Sequence, residues 1–193
     1  MKWLKVKLIS QFFYEKSNLL MAALLTAVFV GYLLLVFTGK GAGFALAESE
    51  IQSLGTSFGF DQADVVSFFS DRTNEMIHAY RNFNQVWDTL FGLIYGLMYV
   101  AWVSVLFKPI SQKVGILNLV PFAQMLFDWL ENFALVLTAN QYLADGTISS
   151  SSANLASVSS MIKWACAGLT YTVILVGIVL LIARMVANKK QLQ

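Results

Sequence analysis

Four long runs of apolar residues set the pattern of the chain, and they occupy residues 19–38, 87–107, 115–138 and 160–183. Each run is close to the roughly 20 residues that a helix needs to cross a hydrocarbon layer about 30 Å thick. The first run carries no charge, and the second carries only Asp88, at its edge. We therefore predict an all-α integral membrane protein in which four spanning helices form a bundle, with residues 1–193 as a single membrane domain.

The segments between the runs have patterns of their own. Residues 1–17 combine lysines with aromatic residues, which is typical of a segment that lies in the membrane interface. Within residues 39–86, apolar side chains recur near helical spacing from about 61 to 83, after Asp61 as a suitable N-cap. We predict an amphipathic helix there, which either lies on the outer leaflet or continues into the second run. Residues 139–159, which include a serine run, are expected to form a short outer loop.

Basic residues predict the orientation of the bundle. Nine of them lie near membrane ends on the side of both termini, namely Lys2, Lys5, Lys7, Lys16, Lys108, Lys113, Arg184, Lys189 and Lys190. The opposite side has four, namely Lys40, Arg72, Arg81 and Lys163. Because cytoplasmic segments are enriched in lysine and arginine, we predict that both termini are cytoplasmic and that the amphipathic helix is extracytoplasmic. We expect a multi-pass protein of a bacterial inner (plasma) membrane.

The third run contains a polar patch. Asp128, Glu131 and Asn132 are three and four residues apart, so they share one helical face. A mid-helix aspartate costs about 2.5–3.5 kcal/mol on insertion scales, whereas each leucine-like residue contributes only about −0.3 to −0.6 kcal/mol. We therefore expect the patch to face the bundle interior, with its carboxylates paired or protonated. The candidate partners are Lys163, Arg81, Tyr95 and Tyr171.

Two roles are open for this patch. As a structural network, it would hold the helices together through salt bridges and hydrogen bonds. As a functional site, it would be a proton or cation relay or the polar lining of a ligand pocket, because ionisable groups inside a membrane are functional-site candidates by default.

A metal site is a third and weaker hypothesis. Asp71, Glu75 and His78 fall on one face of the amphipathic helix, and Glu75 and His78 have the spacing of half a carboxylate-bridged di-metal site. The chain contains one histidine, so a complete zinc or di-iron ligand set is hard to assemble. We predict neither a metal nor another cofactor.

Composition agrees with a membrane protein and narrows its chemistry. The chain is 58% hydrophobic and 12% charged, with a mean hydropathy of +0.65, whereas soluble domains are about 45–50% apolar and about 25% charged. The net charge of +2 gives no reason to expect nucleic-acid binding, and the single cysteine, Cys166, excludes an intramolecular disulfide. The sequence has no nucleotide-binding glycine loop, no serine–histidine pair and no zincin helix.

Part of the third run resembles known proteins. Residues 119–122 (LVPF) and 127–132 (FDWLEN) resemble a stretch in small bacterial four-span membrane proteins of no assigned role. This resemblance covers about one helix and implies no activity. The long first outer loop and short second one are similar to the topology of claudin-like proteins, but the tryptophan and paired cysteines of that family's outer loop are missing.

These observations favour a non-enzymatic membrane component, either an accessory subunit or a self-associating assembly protein. Gly92 and Gly96 have the spacing of a helix-packing surface, and we expect membrane lipids and a homo-oligomer or a larger membrane complex as partners. The alternative is a small carrier, channel or lipid-binding protein with its polar site at Asp128, Glu131 and Asn132. An enzyme acting on a lipid is the third hypothesis, and only the same two carboxylates are there to serve as its acid–base pair.

Overall fold

The computed structural model describes the backbone of residues 2–46, 53–110 and 112–191. Within these ranges the protein is all-helical and has no strand, which confirms the all-α part of the prediction. Its six helices are α1 (Lys2–Lys16), α2 (Leu19–Phe44), α3 (Gln62–Ser70), α4 (Asn74–Phe107), α5 (Val120–Asp145) and α6 (Ser150–Gln191). Two short 3-10 segments, Leu54–Thr56 and Gln112–Leu119, connect them.

Side chains are described for fewer residues than the backbone is. Those of residues 1–7, 47–52, 111–115 and 189–193 lie outside the described part of the protein. Six of the lysines used to predict the orientation are among them: Lys2, Lys5, Lys7, Lys113, Lys189 and Lys190. The structure therefore gives no position for their charges.

Three of the helices, α2, α4 and α6, are long and apolar enough to cross a membrane. They contain the first, second and fourth apolar runs of the sequence. Helix α5 contains most of the third run and is also long, at 26 residues. It does not belong to this apolar group because polar and charged residues interrupt its sequence.

The predicted amphipathic helix at 61–83 is wrong as a single element. The structure divides it into α3 and the first turns of α4, and α4 then continues without a break into the second apolar run. Asp61 caps α3 as predicted, since its carboxylate accepts a hydrogen bond from the backbone N–H of Asp64 at 2.9 Å. The break follows from Arg72, whose guanidinium donates hydrogen bonds to the backbone oxygens of Phe68, at 2.7 Å, and Phe44, at 2.9 Å, and so satisfies one carbonyl at the end of α3 and one at the end of α2.

The third and fourth runs also have different bounds from those predicted. Helix α5 begins at Val120, not at 115, because Pro121 occupies the first turn, where a missing N–H costs nothing and causes no kink. The predicted outer loop at 139–159 is mostly helical, since α5 extends to Asp145 and α6 starts at Ser150. The serine run begins a helix because the Ser149 hydroxyl accepts a hydrogen bond from the N–H of Ser152, at 3.2 Å.

The helices pack unequally. Helices α5 and α6 lie against each other over most of their length, and α4 packs against both. Helix α2 lies on α4, to which it is joined by hydrogen bonds from Tyr32 to the Trp87 carbonyl (2.7 Å) and from Trp102 to Thr26 (2.9 Å). It has no extensive contact with α6.

The larger hydrophobic core lies at one end of the bundle, which we call the capped end because residues 53–73 cover it. Aromatic rings dominate this core, with the ring of Phe44 4.9 Å and that of Phe68 4.8 Å from the ring of Tyr80. A smaller core lies at the other, terminal end, where Tyr14 of α1 meets Val103, Leu106, Phe107 and Val173.

Residues 55–60 are attached to α6 through their backbone. The side chains of Lys163 and Ser160 donate hydrogen bonds to the carbonyls of Gly55 and Ser57, both at 2.7 Å, and the Ser157 hydroxyl accepts one from the N–H of Phe60, at 3.0 Å. Gly59 has a φ of 81°, a conformation that favours glycine, and a Cβ there would lie 3.0 Å from the side chain of Met161. These contacts bring the capped end down onto the charged residues of the bundle.

Candidate functional site

Helix α5 turns its polar patch into the bundle. Asp128, Glu131 and Asn132 are 4%, 0% and 1% exposed. On the opposite face of the same helix lie exposed apolar residues, namely Leu126, Leu130, Phe133 and Leu137. This division places the carboxylates in the interior, as their spacing predicts.

Lys163 of α6 meets both carboxylates. Its ammonium group forms a hydrogen-bonded ion pair with Glu131, lies 3.6 Å from Asp128 Oδ1 and donates a hydrogen bond to the Gly55 carbonyl. The lysine is itself only 7% exposed. This one side chain therefore connects α5, α6 and the segment that covers the capped end.

Of the other candidate partners, Arg81 and Tyr171 lie elsewhere, whereas Tyr95 lies beside Asp128 in the bundle interior. Arg81 donates a hydrogen bond to Asn140, at 3.1 Å, and forms no ion pair with the patch. The Tyr95 hydroxyl is buried and has no hydrogen-bond partner among the described residues. Tyr171 is 44% exposed, and its ring packs against that of Tyr99 at 5.7 Å. The structure thus brings Lys163 to the carboxylates but not Arg81 or Tyr171.

Asp88 is a member of this cluster that the sequence interpretation missed. It is 9% exposed and lies in a π-helical stretch of α4, Phe83–Asp88. The prediction placed Asp88 at the edge of a span because the apolar run begins at residue 87. A signal was present, since Asn84, Asp88 and Gly92 are four residues apart and therefore lie on one face of a helix that begins before 87.

The cluster contains more acidic than basic groups. Three carboxyl groups, those of Asp88, Asp128 and Glu131, face one ammonium group. In the part of the chain that the structure describes, no second lysine or arginine lies within ion-pair distance of them. Several buried polar atoms have no hydrogen-bond partner there, namely Asp128 Oδ2, Glu131 Oε1, Gln124 Oε1 and both side-chain atoms of Asn132. Unpaired polar groups of this kind are costly to bury.

A cavity of about 440 Å³ lies beside the cluster. Its charged wall consists of Asp88, Asp128 and Lys163, whereas Glu131 lies behind that wall. Most of the remaining lining is aromatic, namely Phe29, Phe37, Phe44, Phe83, Phe91, Tyr95, Tyr99, Trp164 and Tyr171. Helices α2, α4, α5 and α6 all contribute, and Ser53, Gly55 and Thr56 close the capped end.

Two glycines allow α5 to approach α4 beside the cavity. A Cβ at Gly92 would lie 2.5 Å from Asp128 Oδ2, and one at Gly96 would lie 3.0 Å from the Met125 sulfur. The predicted packing surface is therefore used within this chain. Its contacts with α5 place the Asp128 carboxylate against the α4 backbone.

The metal hypothesis gains no support from the described residues. Asp71, Glu75 and His78 are exposed, and they do not form a group. No three His, Cys, Asp or Glu side chains within the described ranges are grouped closely enough to hold a metal ion, and this includes the buried carboxyl groups.

Comparison with protein-family models, with curated proteins and with solved structures gave no match to this chain. We therefore infer the function from the residues of the cluster and its cavity.

Proposed function

We propose that the protein crosses a bacterial inner (plasma) membrane four times and binds an amphiphile, such as a lipid, in the cavity between its helices. Helices α2, α4 and α6 have the length and apolarity to span. Helix α5 is the fourth span, since its polar face is buried and its exposed face presents only apolar side chains between Leu126 and Leu137. The excess of basic residues on the side of the termini supports a cytoplasmic location for both of them.

This topology has a direct test. Alkaline phosphatase is active only outside the cytoplasm, so we expect activity when it is fused after Gly146 and none when it is fused to the C-terminus. Activity of the C-terminal fusion would contradict the proposed orientation.

The observation that carries the proposed function is the combination of one charged wall with an aromatic lining. An amphiphile has the complementary shape, because its apolar body matches the rings and its head matches Asp88, Asp128 and Lys163. A volume of about 440 Å³ falls within the range of known ligand cavities, about 300–1,000 Å³. This combination favours the binding-protein alternative, whereas the accessory-subunit hypothesis stays a prediction.

A ligand can reach the cavity from the lipid. Helix α2 forms one side of the cavity, and only 6% of its most apolar stretch is buried. Helix α2 packs on α4 and has no extensive contact with α6. An amphiphile can therefore enter the cavity from the bilayer between α2 and α6.

The test is photolabelling with dodecanol that carries a diazirine in its chain, followed by mass spectrometry of the labelled peptides. We expect labelling of cavity residues such as Phe91 and Tyr99. Thr38→Trp should fill the cavity and suppress that labelling. The matched control is Leu35→Trp on the same helix, because Leu35 is 84% exposed and does not line the cavity. Labelling confined to lipid-facing residues, or equal suppression by both variants, would contradict the proposal.

A further inference from the structure

We propose that the cavity selects amphiphiles whose head is an organic cation, such as an alkylammonium, with Asp88 and Asp128 as its counter-ions. This inference rests on the proposed function and assigns the chemical class of the ligand. It follows from the charge balance of the wall, from the state of Lys163 and from the aromatic lining.

The charge balance favours a positive head group. The single ammonium group of the cluster is already held by Glu131, by the Gly55 carbonyl and, at 3.6 Å, by Asp128. Asp88 has no ion pair within the described residues, and Asp128 Oδ2 is buried without a hydrogen-bond partner. A cation that enters the cavity would supply the charge that these two carboxylates lack, and buried charges are stable only when they are paired.

The same arrangement disfavours a negative head group. Among the described residues of the lining, Lys163 is the only basic one, and its ammonium group already meets three acceptors. An anion would have to displace Glu131 or Asp128 from it and would then lie beside their carboxylates. Like charges at such short range repel strongly in a site of low dielectric constant.

The aromatic lining favours an organic cation over a hydrated metal ion. Rings attract alkylammonium groups through their electron-rich faces, and several rings together form the usual cage for quaternary ammonium ligands. Here Phe91 is central, since its ring centroid lies 4.4 Å from that of Phe37 and 5.5 Å from that of Tyr95. The Trp164 ring already has one ammonium group near it, that of Lys163, at 5.3 Å from its centroid.

The experiment compares three photoreactive probes with the same dodecyl chain and different heads: trimethylammonium, hydroxyl and sulfate. Labelling is done in maltoside micelles, which carry no charge and no ammonium group, and is normalised to labelling of lipid-facing residues of α2. We expect the ammonium probe to label the cavity at least about tenfold more than the alcohol, because it gains the ion pair, and the sulfate least.

Asp88→Asn tests the counter-ion without breaking an ion pair of the structure. It should reduce the preference for ammonium over alcohol to about twofold or less, because the charge is lost while the shape is kept. Labelling by the alcohol should be unchanged and would show that the variant is folded. Asp145→Asn, at the exposed end of α5, is the matched control and should keep the preference.

The outcomes separate the two proposals. If no probe labels the cavity, the proposed function is wrong. If the alcohol or the sulfate labels the cavity as well as the ammonium does, or if Asp88→Asn and Asp128→Asn both keep the preference, the cation inference alone is wrong. Unlabelled dodecyltrimethylammonium and dodecylphosphocholine are then tested separately as competitors of the ammonium probe. Competition by the first alone indicates a free organic cation, and competition by the second indicates a choline lipid. Competition by neither would overturn the inference.

Discussion

Helices α2 and α5 use their side chains in opposite ways. Helix α2 carries no charge from Leu19 to Phe37, yet only 6% of its most apolar stretch is buried. Polar and charged residues interrupt the sequence of helix α5, yet its buried positions include Gln124, Asp128, Glu131 and Asn132. Inside a membrane, an apolar helix gains nothing from leaving the lipid, whereas a polar face must find partners. The polar residues of α5 therefore determine which helix lies at the centre.

The largest expected effect comes from removing the only cation of the cluster. Lys163→Met leaves Asp128 and Glu131 buried without a partner, and breaking a buried ion pair in this way costs about 3–5 kcal/mol. Adding Glu131→Gln should restore part of the lost stability because one of the stranded charges is removed. The measurement is thermal unfolding in detergent. A double variant as unstable as Lys163→Met would show that charge is not what Lys163 contributes.

A second comparison uses leucine on both helices. Leu135 of α5 is fully buried, and truncation of such a residue to alanine costs about 2–5 kcal/mol. Leu35 of α2 is 84% exposed, and its truncation should lower the free energy of unfolding by less than about 0.5 kcal/mol, as at other positions without buried contacts. The same unfolding assay measures both. Equal losses would mean that α2 is packed against something other than lipid.

Glycine-to-alanine substitutions on α4 and on α2 should also differ in their effect on stability, but by a smaller amount. In Gly92→Ala the new Cβ would meet Asp128 Oδ2 at 2.5 Å, so either the Asp128 carboxylate or α5 itself must shift, and overpacking of this kind costs about 1–3 kcal/mol. Gly31 of α2 has nothing within 4 Å of an added Cβ, so Gly31→Ala should be neutral or slightly stabilising. If Gly92→Ala unfolds at the same temperature as the unaltered protein, the close approach of α4 and α5 is not required.

Residue spacing was enough to predict the inward face of α5, and Lys163 was one of the four candidate partners named for its carboxylates. The inward face follows from helical periodicity and from the cost of a charge in lipid, which act locally. Asp88 was missed because the predicted span began at residue 87, whereas α4 begins at Asn74, before the apolar run. The helical serine run was missed for a related reason: a hydroxyl cap at Ser149 decided the structure there, not average polarity.

The cavity itself could not be predicted from the sequence. It exists because α2 packs on α4 and stays apart from α6, and an evenly apolar helix carries no pattern that would indicate its neighbours. Such a helix is placed by a few specific contacts, here the hydrogen bonds of Tyr32 and Thr26 with α4.

The way in which residues 55–60 are tied to α6 has a consequence for sequence variation. Each of these hydrogen bonds joins a side chain of α6 to a backbone atom of residues 55–60. Backbone N–H and C=O groups do not depend on the identity of the side chain. Apart from Gly59, whose backbone conformation favours glycine, and Phe60, which packs against the larger core, residues 55–60 can therefore change their side chains without losing these hydrogen bonds. The side chains that form these hydrogen bonds are those of Ser157, Ser160 and Lys163. Relatives that keep this covering should therefore vary least at those three positions.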